Sequence, residues 1–321
     1  MAQTENVQDE LEKLQDKIEM LNNNVWHRRL TRDHYQKWED NFSKDECGIP
    51  VLRQKRAALH LLSKFLYFSD EQVRQLLKSL YVDVFRIPLI HRIRRDNQHS
   101  WDNDFIENKF SEELEATRFI GMGNPSESGS HLLYYFRQEN SLSKQSFIHG
   151  HKALELSRSS KGKSSEQKVS RYVFIDDFCG TGYQAARYSN GLITEIITND
   201  SDAECWYCPL VSTEIGLKHV ENKTKFHKVE SVLNLDNTFK SLSDESRYFA
   251  PDQRELKGDA TRMCEYYGTQ LKNVSGCESL GYAGSQLLVG FHHNTPNNTL
   301  PIIWADTTDF VPVFRRYPKI Y

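Results

Sequence analysis

RYVFIDDFCGTGYQAARY occupies residues 171–188 of a chain of 321. Val173, Phe174 and Ile175 make the apolar run of a buried strand, and Asp176 and Asp177 stand at its end. Cys179, Gly180, Thr181 and Gly182 then form a turn of small residues, after which residues 183–188 read as a helix. Strand, tight turn and helix in that order build parallel α/β sheets. In open sheets of this kind ligands sit beyond the carboxyl ends of the strands, which is where the acid pair and the turn fall.

The residue types suggest what such a ligand would be. A glycine-bearing turn lets backbone N–H groups approach an anion, and the start of the following helix adds partial positive charge, so a phosphate suits the turn. Neighbouring carboxylates accept hydrogen bonds from a vicinal diol, directly or through Mg2+, which keeps most of its waters and takes few protein oxygens. A diol beside a phosphate describes a ribose 5-phosphate. A purely structural reading also stands: the acids end a strand and Gly-Thr-Gly turns the chain. The acidic strand end of a P-loop NTPase is excluded, because GxxxxGK[ST] occurs nowhere in the chain.

On either side of this stretch, β-rich runs at 118–120, 132–136, 172–175, 193–198, 286–291 and 300–304 alternate with helical or polar segments. They predict an α/β domain with a mostly parallel sheet. Gly121, Gly123, Ser126, Ser128 and Gly129 cluster between the first two runs, where exposed N–H groups and hydroxyls suit an anion. Residues 138–170 are rich in Ser and Lys and predict a mobile loop.

IDDFCGTG, residues 175–182, resembles the diphosphate-sugar motif of the type I phosphoribosyltransferases: an apolar strand, two acids, a short spacer and Thr-Gly. The resemblance implies that Asp176 and Asp177 contact the ribose hydroxyls and hold Mg2+, and that Cys179, Gly180, Thr181, Gly182 and Tyr183 receive the 5-phosphate. Tyr183 and Gln184 stand where that family has a small residue and Thr. By position, Gly123, Ser126, Ser128 and Gly129 correspond to its pyrophosphate loop. Residues 138–170 correspond to its closing catalytic loop, where Arg137, Lys144, Lys152, Lys161 or Lys163 would offset charge on departing pyrophosphate. Arg137 is the expected cation, and His149 and His151 are candidate acids or bases.

GYAGSQLLVGFHHNTPNNTLPIIW, residues 281–304, resembles a segment of phosphoribosyltransferase-like proteins of bacterial conflict and anti-phage systems, some encoded with retrons. That likeness covers about residues 115–321. It implies an effector restrained by a protein or ribonucleoprotein partner.

Before residue 110 the pattern is helical. Val7, Leu11, Leu14, Ile18 and Leu21 mark one seam, expected to pack on a helix of the same chain rather than in a long coiled coil. Helices are predicted over 26–41 and about 51–66, and from Asp70 through Leu80 after a capping box at Ser69 and Gln72, with Pro88 and the polar stretch around Asp96 to Asp104 closing the region. The expected division is a helical region 1–110 and an α/β domain 111–321.

Composition bounds the rest. With 41 Lys+Arg against 44 Asp+Glu, the net charge of -3 makes no global nucleic-acid magnet. No run of about 18 apolar residues exists to span a bilayer. The opening MAQTENVQDE has neither a basic nor an apolar signal segment, so a cytoplasmic protein with reduced cysteines is expected. Cys205 and Cys208 form a CxxC inside an apolar run and read as buried thiols rather than zinc ligands, since His219 and His227 are too far apart. His91, Arg92, Arg94 and Arg95 read as a helix end, with a nucleic-acid contact as the alternative.

The expected activity is transfer of phosphoribose from 5-phosphoribosyl 1-diphosphate, with Mg2+, to a nucleotide or nucleic-acid-related acceptor. The alternatives are a non-catalytic nucleotide- or nucleic-acid-binding sensor or toxin subunit, and a metal-dependent hydrolase. A homo-oligomer is a further expectation.

Overall fold

The computed structural model describes residues 2–44, 47–123, 128–160, 168–275 and 278–317. Packing divides the chain into two compact units, Met1–Glu71 with Asp236–Tyr321, and Gln72–Leu235. The first therefore draws on both ends of the chain, and a boundary near residue 110 falls inside the second.

The first unit begins with α1 (Ala2–Asn24), α2 (Arg32–Asp40), α3 (Val51–Leu62) and a short strand β1 (Leu66–Phe68). Leu11 and Ile18 of α1 are buried, with Val7, Leu14 and Leu21 beside them, so the seam packs within the chain. The helix expected over 26–41 starts only at Arg32, because His27 and Arg28 adopt left-handed backbone and Thr31 caps the new helix. The first hundred residues are not wholly helical, since β1 pairs in parallel with a strand near the C-terminus.

The second unit takes most of α4 (Asp70–Ser79), then a π-helical stretch Leu80–Arg86 and α5 (Ile87–Asp96). The helical run passes through Pro88 and ends at Asp96, where the polar stretch begins. Pro88 lies in the first turn of α5, where the wider π turn before it absorbs the missing N–H. Then come α6 (Asn103–Glu115), β2 (Thr117–Gly121), α7 (Ser128–Glu139), a 3-10 turn Lys144–Ser146 and α8 (Gly150–Arg158). The expected loop over 138–170 thus contains a helix. β3 (Arg171–Cys179) leads into α9 (Tyr183–Tyr188), a π-helical stretch Ser189–Ile193 and α10 (Thr194–Asn199). The unit ends with β4 (Glu204–Thr213), α11 (Glu214–Lys223), β5 (Lys228–Val229) and β6 (Leu233–Leu235).

These strands form one parallel sheet in the order β2-β3-β4-β5, and β6 also pairs with β4. β3 is buried on both faces up to Asp176. One face carries Phe85, Phe119, Phe136 and Trp206 in edge-on ring contacts. The other packs Tyr172, Phe174 and Tyr207 with Ile193 and Ile196. Along β4, β5 pairs with Trp206–Tyr207 and β6 with Val211–Thr213. Pro209 lies between them with its carbonyl toward this broken edge, accepting from the Val232 N–H, so its missing donor interrupts no bond to β3.

Two expected strands are helices. Residues 132–136 lie in α7, with Leu132 and Phe136 buried four residues apart, and 193–198 lie in the helical run after β3, with Ile193 and Ile196 buried. Helical spacing of the buried residues outweighs their β-propensity.

The chain then returns to the first unit with α12 (Arg254–Ser275), β7 (Val289–Phe291) and α13 (Pro301–Trp304). Only the last part of 286–291 is strand, because Gln286 has φ +53°. Residues 300–304 are a helical turn opened by Pro301 rather than a strand. No helix of the described residues is long and apolar enough to cross a membrane.

Candidate functional site

The carboxyl ends of β2, β3 and β4 lie side by side. Gly121 is level with Ile175, Asp176 with Pro209, and Cys179 with Ser212. Met122 extends the pairing by donating its N–H to the Ile175 carbonyl at 2.8 Å, so Gly123, with φ +92°, is brought beside the acid pair.

The two aspartates differ. Asp176 is buried: its Oδ1 accepts the Asp177 N–H at 3.0 Å and its Oδ2 the Tyr207 hydroxyl at 2.8 Å. Asp177 is half-buried and accepts the Phe178 N–H at 2.9 Å. Burial holds the Tyr207 hydroxyl far above its ordinary pKa, reinforced by Asp176, so it stays a proton donor. The Cys179 thiol sits in the same core cluster, and burial pushes it up to about 12. The Cys179 side chain is therefore spent in packing.

The turn after β3 is built by close backbone approach. Gly182 has φ +76°, and a Cβ there would stand 2.6 Å from the Gly216 carbonyl oxygen. A Cβ on Gly216 would stand 2.3 Å from the Gly180 carbonyl oxygen. The Thr213 hydroxyl ties the two segments, donating to the Gly180 carbonyl and accepting the Gly216 N–H at 2.9 Å. Gly180 and Thr181 are half-buried, Gly182 is buried, and Tyr183 and Gln184 are exposed. Tyr183 meets His219 edge-on with ring centroids 4.7 Å apart.

Arg137 holds its guanidinium 5.8 Å from the centroid of the Tyr134 ring. It lies in the last turn of α7, next to Phe136, whose ring packs on Phe119 at the level of Val173. That is three residues below Asp176, about 10 Å along the strand. Ser128 and Gly129 open α7, while Ser126, Lys161 and Lys163 lie outside the described residues. Lys144 lies in the 3-10 turn and Lys152 on α8, paired with Glu155 at 2.7 Å.

Some elements of this end escape a reading of the sequence. Tyr207, Thr213 and Gly216 reach it only through the register of β4, which no local pattern encodes. Phe147 pairs in parallel beside Phe119, so the exposed His149 follows alongside the end of β2. The basic cluster on α5 is partly spent inside the unit: Arg92 pairs with Glu204 at 2.8 Å, and Arg94 covers the Trp101 ring. Cys205 and Cys208 are buried, and burial raises both thiols to about 12.

A parallel sheet covered by helices on both faces, with an acid pair and a Gly-bearing turn ending an interior strand, defines a phosphoribosyltransferase-like α/β protein. The model of the PRTase-CE family matches residues 35–316, and the chain belongs to that family. The match takes in α2 and α3, which the resemblance drawn from motifs had left outside. No curated protein matches the chain.

Proposed function

We propose that the chain binds 5-phosphoribosyl 1-diphosphate at the carboxyl ends of β2 and β3 and transfers phosphoribose to a nucleotide or nucleic-acid-related acceptor. The observation that carries this reading is the half-buried Asp177 at the end of β3, flanked by Gly123 on one side and the Gly180–Thr181 turn on the other. Asp177 takes the ribose hydroxyls, with Asp176 fixed behind it by Tyr207. The N–H groups of the turn face the 5-phosphate, and Gly123 stands on the side of the diphosphate.

Among the described residues no group of three or more metal-binding side chains occurs. The half-buried Asp177 carboxylate still fits Mg2+, which takes one or two protein oxygens and fills its shell with water and substrate phosphate. When bound, it would neutralise charge on the diphosphate. The chemistry is displacement at C1: the acceptor's lone pair forms the new bond, the C1–O bond breaks, and pyrophosphate departs with the electron pair. The protein's part is to hold sugar and acceptor in line.

Asp176, buried on Tyr207, favours a second reading: binding of a phosphorylated nucleotide without turnover, with one carboxylate facing the ligand. The defence setting and a restraining partner rest on the likeness of residues 281–304 alone.

The test is incubation of the protein with labelled diphosphate sugar, Mg2+ and cell extract. Transfer predicts label in an acceptor fraction together with released pyrophosphate, both lost in Asp177→Asn. Equal labelling by that variant overturns the site. Saturable binding without product supports the second reading.

A further inference from the structure

Much of residues 286–304 is used in packing. The Thr299 hydroxyl donates to the Val289 carbonyl at 2.6 Å, and the Trp304 indole N–H donates to the Thr299 carbonyl at 2.8 Å. Asn298 donates to the Ser285 hydroxyl at 2.9 Å, and Leu300, Ile302 and Ile303 are buried. His292 and His293, directly after β7, are left only partly buried.

With residues from 29–34 and 313–317 they line a cavity of about 210 Å³. Arg29, His34, His292, His293 and Arg315 are among its walls, and no Asp or Glu is among the described lining residues. Arg29 is exposed and makes no ion pair among the described residues, while Arg315 meets Asp306 only at 3.7 Å. His292 stands 3.7 Å from Asp70, which does not line the cavity. Asn294 Oδ1 is occupied by the N–H groups of Thr295 and Tyr317, both at 2.9 Å. Thr31 and His34 bring the first turn of α2 to the wall, adding the positive end of a helix. Tyr67 and Phe314, stacked at 5.2 Å, make a firm apolar side.

We propose that this cavity is a phosphomonoester site. Its arginines offer planar forks that match phosphate oxygens, and imidazoles and a helix start share its lining. The volume is below the roughly 300–1,000 Å³ of pockets that enclose whole drug-sized ligands. It suits a phosphate group with the rest of the molecule outside. Every lining residue belongs to the unit formed by both chain ends, whereas the acid pair belongs to the other unit.

The experiment is calorimetric titration of the full chain with inorganic phosphate and, separately, adenosine 5′-monophosphate. Saturable binding is expected, weakened about tenfold or more in Arg29→Gln/Arg315→Gln. Tighter binding of the nucleotide identifies a nucleotide phosphate as the ligand; equal binding identifies the phosphate group alone, and either supports the site. Both arginines are exposed, and Arg29→Gln alone, checked by its unfolding transition, guards against a folding defect. Absence of saturable binding overturns the proposal. So does affinity unaffected by the arginine variants.

Discussion

The adjacent aspartates of β3 have different tasks, and substitution separates them. Tyr207→Phe leaves a buried carboxylate oxygen of Asp176 without its hydroxyl donor, and a hydrogen bond to a charged group contributes about 1.5–3 kcal/mol. Urea unfolding should show a loss of that order, whereas Asp177→Asn, at a half-buried position, should change stability by less than about 0.5 kcal/mol. Equal stability losses would contradict the assignment. His60 gives a pH test. It is buried, donates from Nε2 to the Tyr248 carbonyl at 2.8 Å and stacks on Phe249. Burial, then the nearby Lys64, Lys17 and Arg56, lower it from 6.5 to about 4, although the bond to Tyr248 opposes the shift. The folded form keeps the ring neutral, so its contribution is whole above pH 6.5 and is lost as pH falls toward about 4. That loss is on the order of 2–3 kcal/mol, and His60→Gln should flatten this part of the stability curve in urea titrations at stepped pH. At this scale the order apolar run, acid pair, small turn and helix was legible, because each step is local. The burial of Asp176 was not, because its partner Tyr207 lies on another strand.

The turn after β3 and the start of α11 hold each other through bare backbone. Gly216→Ala places a methyl 2.3 Å from the Gly180 oxygen, so the turn must move. A loss of about 1–3 kcal/mol is expected, with weaker binding of the diphosphate sugar. Gly191→Ala, in the helical run after the same turn, meets nothing within 4 Å and should leave melting temperature and binding nearly unchanged. If both variants behave alike, the close approach does not shape the turn. Element type was legible where periodicity and burial agree, as in α1, α3 and β3. It misled at 132–136 and 193–198, where aromatic and β-branched residues suit strands but bury one helical face. Neither the π-helical stretches nor the helix inside 138–170 has a signal in composition.

On the scale of the whole molecule, the compact units are not consecutive halves. β1 pairs with β7 across more than two hundred residues, and α1 and α12 both pack on α3. Helical periodicity marks which face is buried but not which distant element covers it, so this pairing was illegible. The family match from residue 35 agrees with helices that belong to the architecture rather than precede it. A fragment of residues 72–235 retains the whole larger sheet with Phe85 against Phe119 and Trp206, and should unfold cooperatively when heated. A fragment of residues 111–321 lacks Phe85 as well as β1, and should not. The reverse pattern by circular dichroism would contradict the division.

The most direct measurement is calorimetric titration of the full chain with 5-phosphoribosyl 1-diphosphate in the presence of Mg2+. One-to-one binding, abolished or weakened at least about a hundredfold in Asp177→Asn while the variant unfolds as the wild type does, is the result expected for a carboxylate that grips the ribose. Undiminished binding by that variant, or none by the wild type, would contradict it.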